Sequence, residues 1–263
     1  MLSSAHLFRC LAFGLLASAA PLSAATLFME DFTGESVGQA TESWRSFNSV
    51  NVAGTAYGGT GITNGVSSPT GENPNPYLYA QNSTANGGTT TVDYFLFTTS
   101  TTATLGASAF TGLVPADYSA FSASWQQNTG GTMTGMSYYL TVQVDGAWYA
   151  TPSGGVDGPG ANQYQVDLLN ASWYAVSFTQ GTFMSLDTGA STISSSTLFG
   201  PGEAITGLGF YVKNFPGANT TGSDFRTIRF DNLTITGTPE PSRAMLLGLA
   251  LTGLVLRRRR MGC

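Results

Sequence analysis

The residue types that could carry chemistry in this chain are carboxylates and aromatic rings, because imidazole and thiol groups occur only near its ends. The one histidine is His6, and the two cysteines are Cys10 and Cys263. The segment 26–238 therefore lacks the groups for Ser-His-Asp or Cys-His catalysis, for zinc bound by histidine or thiolate, and for an internal disulfide. Carboxylate chemistry, oxygen-ligated cation binding and aromatic stacking remain.

Carboxylates dominate the charge of the segment 26–238. It contains four of the ten basic residues (Arg45, Lys213, Arg226 and Arg229) and fourteen of the fifteen acidic ones, so its formal net charge is 4 − 14 = −10. Such a surface repels phosphate backbones, and no nucleic acid partner is expected. A glycoside hydrolase would need two carboxylates about 5–10 Å apart across a cleft. No local signature of such a pair stands out, so we predict a non-catalytic protein; the alternative is a secreted polysaccharide-active glycoside hydrolase or lyase.

Aromatic side chains offer a way to bind sugars, because sugar rings expose C–H faces that stack on tryptophan and tyrosine. Trp125 and Trp173 lie within predicted strands and are expected to fill the core. Tyr57 and Tyr77 lie next to Gly-rich stretches, and we predict these two as exposed residues for glycan stacking.

Short runs rich in aromatic and β-branched residues recur between turn signals, and amphipathic helical periodicity is hard to find. The predicted strands are Thr26–Phe32, Ser43–Val50, Tyr77–Ala80, Thr91–Thr98, Ser119–Gln126, Met136–Val144, Trp148–Ala150, Trp173–Phe178, Ala204–Val212 and Thr227–Thr236. The polar stretches Gly58–Pro76 and Gly154–Asn162 are interpreted as surface loops. About ten such strands predict an all-β fold, a two-sheet antiparallel β-sandwich.

Two local signals sharpen this prediction. Residues 138–144 alternate between apolar and polar positions, and Asp145-Gly146 then supplies a tight hairpin turn. In the last strand the parity of the apolar residues switches after Phe230, which predicts a bulge near Asp231-Asn232.

Strand order alone does not separate a jelly roll from other sandwiches, but the pair Ile205–Tyr211 and Thr227–Ile235 looks like the last two strands of jelly-roll carbohydrate-binding-type modules. This resemblance implies a jelly roll with a structural calcium between the first and last strands. The ligands would be Glu30, Asp31 and Asp231, since calcium takes six to eight oxygens. The alternative is that Asp231 only caps the bulge and that Glu30-Asp31 is solvated. No other cofactor is predicted.

The N-terminal residues 1–25 have the form of a cleavable secretory signal. Arg9 provides the positive charge, and Cys10–Ala20 is an apolar stretch of eleven residues. Ser23-Ala24-Ala25 supplies small residues before the cleavage point, which we place after Ala25. The signal helix is too short to be a permanent membrane span.

The C-terminal residues 239–263 combine three features in order. Pro239-Glu240-Pro241 is followed by the apolar segment Ala244–Leu256, and then by a basic cluster of Arg257, Arg258, Arg259 and Arg260. As a helix the apolar segment would be about 20 Å long, and flanking arginines can extend its span by snorkelling. The arginine cluster would stay cytoplasmic, which predicts a C-terminal transmembrane helix with the body outside.

This tail resembles the PEP-CTERM sorting signal of Gram-negative bacteria. The resemblance implies recognition by an exosortase, a membrane protease-transferase, cleavage near Pro239–Pro241, and transfer to the cell surface or extracellular matrix. The predicted organisation is therefore a signal peptide at 1–25, a β-sandwich at 26–238 and a sorting signal at 239–263. The predicted function is an exported, exosortase-sorted surface or matrix protein whose non-catalytic sandwich is a structural component or associates with exopolysaccharide. A purely structural protein with no ligand is a further alternative.

Overall fold

A computed structural model describes residues 23–32, 44–49, 62–67, 77–82, 91–99, 113–129, 135–152, 162–179, 183–216 and 226–240. Within these ranges the chain forms fourteen β-strands, a 3-10 turn at Pro115–Asp117 and a one-turn helix at Ser195–Leu198. The strands are β1 Ala25–Glu30, β2 Trp44–Asn48, β3 Ile62–Ser67, β4 Tyr77–Asn82, β5 Thr91–Thr99, β6 Tyr118–Thr129, β7 Ser137–Val144, β8 Ala147–Ala150, β9 Asn162–Asp167, β10 Ser172–Thr179, β11 Phe183–Leu186, β12 Ile193–Ser194, β13 Ile205–Pro216 and β14 Arg226–Pro239.

The strands form two antiparallel sheets, which confirms the predicted all-β sandwich. The six-stranded sheet has the order β3-β4-β14-β6-β9, and β1 pairs with the C-terminal part of β14, from Leu233 to Gly237. The eight-stranded sheet has the order β11-β10-β8-β7-β13-β5-β2, and β12 pairs with β10. The last of the described strands, β14, therefore lies at the centre of its sheet.

The main core lies between the sheets and is rich in aromatic rings. Phe210 on β13 stacks on Phe230 on β14, with ring centroids 4.0 Å apart. Trp125 and Trp173 are completely buried, as predicted from their positions inside strands. The indole N–H of Trp173 donates a hydrogen bond of 2.8 Å to Ser195 Oγ, which satisfies its polar group inside the core.

The two local signals in the sequence are confirmed. Asp145 and Gly146 have φ values of 49° and 75°, the left-handed pair required by the tight turn between β7 and β8. The pairing of β14 with β6 shifts register between Asp231 and Thr234, and Asn232 has a φ of 52°. The parity switch therefore marks a true β-bulge.

Four strands were not predicted. β3 lies within the stretch Gly58–Pro76, so the interpretation of this stretch as a loop throughout is wrong. β9 begins at Asn162, the last residue of the second predicted loop, and residues 154–161 of that loop lie outside the described residues. β11 and β12 are four and two residues long. β3, β9 and β11 lie at the edges of the sheets, where a strand needs only one apolar face or none.

Residues 1–22 of the predicted signal peptide 1–25 and the C-terminal apolar segment 244–256 lie outside the described residues. Within the described ranges, no helix is long and apolar enough to cross a membrane. Of the predicted ends, the structure describes residues 23–25, which end at the first residue of β1, and residues 239–240, which begin at the last residue of β14. The three-part domain organisation stays a prediction.

Candidate functional site

The eight-stranded sheet is strongly curled, so that its outer face becomes concave. Phe47 on β2 and Phe178 on β10 have ring centroids 5.1 Å apart, although four strands lie between β2 and β10 in the sheet. In a flat sheet five interstrand steps would separate them by about 24 Å. The curl brings the two sides of the sheet together over the concave face.

The concave face carries a second apolar cluster, separate from the core between the sheets. Phe95 lies at its centre and is fully buried. Its ring centroid is 4.7 Å from that of Phe97, 4.9 Å from Trp148 and 5.1 Å from Phe178. The middle of the concave face is therefore filled by the protein's own aromatic rings.

Two glycines on β13 allow these rings to lie close to the sheet. A Cβ on Gly207 would lie 2.8 Å from Trp148 Cη2, and one on Gly209 would lie 2.7 Å from Phe97 Cβ. Since real Cβ atoms do not approach other heavy atoms this closely, only glycine fits under these rings.

A polar group of residues adjoins the aromatic cluster on the same face. We call it the distal cluster, because it lies toward the end of the sandwich opposite Ala25 and Pro239. It consists of Asp93, Tyr139, Tyr174, Tyr211 and Lys213. Tyr211 Oη donates to Asp93 Oδ2 at 2.7 Å, and the backbone N–H of Asn214 donates to Asp93 Oδ1 at 2.8 Å. Lys213 Nζ donates to the carbonyl of Leu186 at 2.7 Å. Asp93, Tyr174 and Lys213 are half-buried, so the cluster borders solvent.

The environment of the buried tyrosines keeps their phenols neutral. Burial raises the pKa of Tyr211, and the adjacent Asp93 carboxylate raises it further. Burial also raises the pKa of Tyr139, against a smaller opposing effect of its hydrogen bond with Ser137. In the main core, burial raises the pKa of Tyr94 well above its ordinary value, and its hydroxyl donates to the carbonyl of Gln81 at 2.6 Å. A neutral phenol can donate a hydrogen bond but is a poor general base.

These shifts predict that the protein loses stability in alkaline solution. In the folded state the pKa values lie above 10.0, the ordinary value of the unfolded chain. As the pH rises, the tyrosines therefore ionise first in the unfolded state. Their contribution to the free energy of unfolding is fully present below about pH 10 and is lost as the pH rises through their folded-state pKa values. We expect urea unfolding to show a falling free energy above about pH 10, with a smaller slope in Tyr94→Phe. An unfolding free energy that stays constant into this range would contradict the assignment.

The predicted calcium ligands Glu30, Asp31 and Asp231 lie in the described ranges, and the calcium site itself stays a prediction. Among the residues that the structure describes, no group of three or more acidic, histidine or cysteine side chains is placed to hold a metal. Glu30 turns into the core, where Oε1 accepts from the N–H of Phe32 at 2.8 Å and Oε2 accepts from Trp44 Nε1 at 3.2 Å. Asp231 Oδ1 accepts from the N–H of Asn232 at 2.7 Å, which is the bulge-capping alternative.

Glu30 is therefore expected to act as a structural acceptor. Glu30→Ala removes the acceptor of the Trp44 indole in a buried position, and we expect the free energy of unfolding to fall by about 1–3 kcal/mol. Glu30→Gln keeps one acceptor oxygen and should destabilise the protein less. Urea unfolding of the two variants measures this difference, and equal stability of wild type and Glu30→Ala would refute the role.

The predicted glycan-stacking pair is not supported at Tyr77. Its side chain is only 4% exposed, and the guanidinium carbon of Arg229 lies 4.9 Å from its ring centroid. Tyr77 is thus covered by a cation–π contact and offers no open face for a sugar. Tyr57 lies outside the described residues.

Two residues of the predicted sorting motif are described. Pro239 pairs with Tyr118 at the end of the six-stranded sheet, and the N–H of Glu240 donates to the carbonyl of Asp117 at 3.0 Å. Pro241 and the arginine cluster 257–260 lie outside the described residues. The motif therefore begins at the last residues of the sandwich, without an intervening linker.

Comparisons with known proteins identify no family. No family model matches the chain, and no curated protein does. Among solved structures, an exo-β-agarase is 13% identical with a TM-score of 0.40, and the match covers 80% of this chain and 24% of the agarase. A pseudo β-1,3-glucanase and immunostimulatory antigen of Mycobacterium tuberculosis is 15% identical with a TM-score of 0.41, and the match covers 81% of this chain and 98% of that one.

A third similar structure contains the CBM22-1 and GH10 modules of xylanase 10B from Clostridium thermocellum. It is 9% identical with a TM-score of 0.31, and the match covers 81% of this chain and 28% of that one. The chain thus spans about a quarter of the length of the agarase and of the xylanase structure. Identities and TM-scores this low assign neither a ligand nor an activity to this chain.

Proposed function

We propose that this chain is exported, sorted by an exosortase to the cell surface or extracellular matrix, and binds glycan there through a non-catalytic β-sandwich. The sorting part rests on the sequence 239–263 and on the direct passage from β14 into Pro239-Glu240. The strand order also favours a jelly roll, because β1 and β14 are neighbours and consecutive strands β5, β6 and β7 alternate between the sheets.

The distal cluster is the observation that carries glycan binding. Each oxygen of Asp93 accepts one hydrogen bond from the protein, and an ionised carboxylate has about four acceptor positions. Lys213 has three N–H donors, of which one is used at 2.7 Å and a second makes a long 3.5 Å contact with Thr188 Oγ1. The half-buried ring of Tyr174 adds an aromatic surface. Remaining acceptors, a remaining donor and a ring suit a polyhydroxylated ligand.

The same cluster favours binding over hydrolysis or elimination. It contains one carboxylate, Asp93, whereas glycoside hydrolysis needs two on opposite sides of the bond. Tyr211 is fully buried, donates to Asp93 and has a raised pKa, so it is poorly suited to act as the base of a lyase.

Affinity electrophoresis of the exported protein in gels containing xylan, soluble β-1,3-glucan or agarose tests the binding. We expect retardation by at least one of these polymers, and a marked loss of retardation in Lys213→Met. The matched control is Arg45→Met, which removes a basic side chain from the same sheet outside the distal cluster. Equal retardation of both variants would exclude the cluster, and release of new reducing ends from a polymer would favour the enzymatic alternative.

Intact-mass measurement of protein recovered from a Gram-negative host that carries an exosortase tests the sorting. We expect loss of residues 1–25 and of the tail after the motif. Replacing Pro239, Glu240 and Pro241 by alanine should leave the tail in place. The control replaces Pro201 and Glu203, a proline and a glutamate in a turn of the sandwich. Wild-type protein that still ends at Cys263 would overturn the proposal.

A further inference from the structure

Both ends of the sandwich domain lie at one end of the six-stranded sheet. Ala25, at the start of β1, is opposite Gly237, and Pro239, at the end of β14, is opposite Tyr118. The hydrogen bond between Glu240 N–H and the carbonyl of Asp117 continues this pairing by one residue. We call this end of the sandwich the proximal end.

Contacts between the sheets show which end of the eight-stranded sheet is proximal. The N–H of Ile205, at the start of β13, donates to the carbonyl of Leu113, five residues before the start of β6. At the other end, Tyr94 on β5 donates to the carbonyl of Gln81 on β4, one residue before β4 ends. β13 therefore runs from the proximal end toward the opposite, distal end.

The distal cluster lies well away from the proximal end. Tyr211 follows Ile205 by six residues along β13, which corresponds to about 20 Å at roughly 3.3 Å per residue. Asp93 is the third residue of β5, whose first residue, Thr91, pairs with Pro216 at the distal end of β13. Asp93 and Tyr211 therefore both lie toward the distal end of the sheet.

The connection from the proximal end to the predicted membrane segment is very short. Only residues 241–243 separate Glu240 from the apolar segment that starts at Ala244. Three extended residues span about 10 Å. A domain about 40 Å long along β13 cannot turn over freely on such a tether.

We propose that the membrane-anchored precursor stands on its proximal end and presents the distal cluster outward, toward glycan polymers outside the membrane. This inference rests on the proposed function, since it takes the tail to be a membrane anchor before processing. The proximal end would be shielded by the membrane, and a partner polymer would meet the distal end first.

Single-cysteine labelling tests this orientation, because segment 26–238 contains no cysteine. Thr91→Cys places a thiol at the distal end and Ala116→Cys places one in the proximal 3-10 turn, and both parent residues are exposed. The full chain is expressed without an exosortase, and spheroplasts are treated with a small membrane-impermeant maleimide or with maleimide attached to a large dextran. The unsubstituted chain gives the background from Cys10 and Cys263.

We expect the small reagent to label both variants, and the dextran reagent to label Thr91→Cys severalfold faster than Ala116→Cys. After detergent extraction the two rates should become equal. Equal dextran labelling on intact spheroplasts would overturn the orientation while leaving the anchor in place. Recovery of the precursor in the soluble fraction would instead overturn the anchor, and the orientation with it.

Discussion

Replacing Phe95 with alanine is expected to lower the free energy of unfolding by about 3–5 kcal/mol, as for other fully buried phenylalanines. Phe95 is buried on the concave face, and its ring contacts Phe97, Trp148 and Phe178. Its removal leaves a cavity at the point where the two sides of the curled sheet meet. The effect would establish that the outer face of this sheet is a second core.

The control for this measurement is Phe183→Ala. Phe183 lies on β11 of the same sheet but is 52% exposed, so its truncation leaves no cavity and should cost less than about 1 kcal/mol. Urea unfolding followed by tryptophan fluorescence measures both variants. If Phe95→Ala cost no more than Phe183→Ala, the concave face would be a solvated surface, and glycan could be accommodated at its centre.

The sandwich could be predicted because several strands carry a regular apolar face. On β7, Tyr138, Leu140, Val142 and Val144 all point into the main core, as their alternation indicates. The second core was not predicted, because two packed sheets are expected to bury only the sides that face each other. On β5 the uninterrupted run Tyr94–Phe97 is typical of a strand buried on both sides, and this signal was available in the sequence.

The missed edge strands carry weaker signals. β9 alternates between half-buried and exposed residues and consists largely of amides and acids, so neither of its faces is strongly apolar. β3 contains a glycine and an asparagine, both uncommon in strands. β9 is a strand because it pairs with β6, and β3 is a strand because it pairs with β4. Local sequence does not encode either pairing.

The distal cluster could not be found from sequence for a different reason. Asp93 and Tyr211 are 118 residues apart in the chain, and neither lies in a recognisable motif. Only the adjacency of β5 and β13 in the sheet brings them together. The resemblance to jelly-roll modules implies Glu30 as a calcium ligand, but it does not indicate that the Trp44 indole and the Phe32 amide donate to the Glu30 carboxylate inside the core.

The filled concave face also affects where a ligand can bind. An open aromatic groove would place sugar rings on Trp148 or Phe97, but these rings are buried and pack on one another. The proposed glycan site therefore lies at the border of the cluster, where Asp93 and Lys213 keep unused hydrogen-bonding capacity. The curl of the sheet thus determines both the stability of the domain and the position of its candidate site.

Gly209→Ala tests the close packing on which this curl depends. We expect it to cost about 3 kcal/mol, at the upper end of the usual range for overpacking. The new methyl group would meet the carbonyl oxygen of Leu96, lie 2.7 Å from Phe97 Cβ and lie 2.9 Å from Thr141 Oγ1. The Leu96 oxygen belongs to the backbone of β5, which cannot move without disturbing the hydrogen-bond ladder between β5 and β13.

The matched variant is Gly200→Ala, because the nearest atom to a Cβ there is Glu203 Cγ at 3.6 Å, an ordinary contact. Its unfolding free energy should stay within about 0.5 kcal/mol of wild type. Denaturant unfolding of both variants is the measurement, and near-ultraviolet circular dichroism reports whether the aromatic packing on the concave face changes. A Gly209→Ala protein as stable as Gly200→Ala would mean that β5 and β13 can move apart without a loss in the free energy of unfolding. The conclusion that the second core is closely packed would then be wrong.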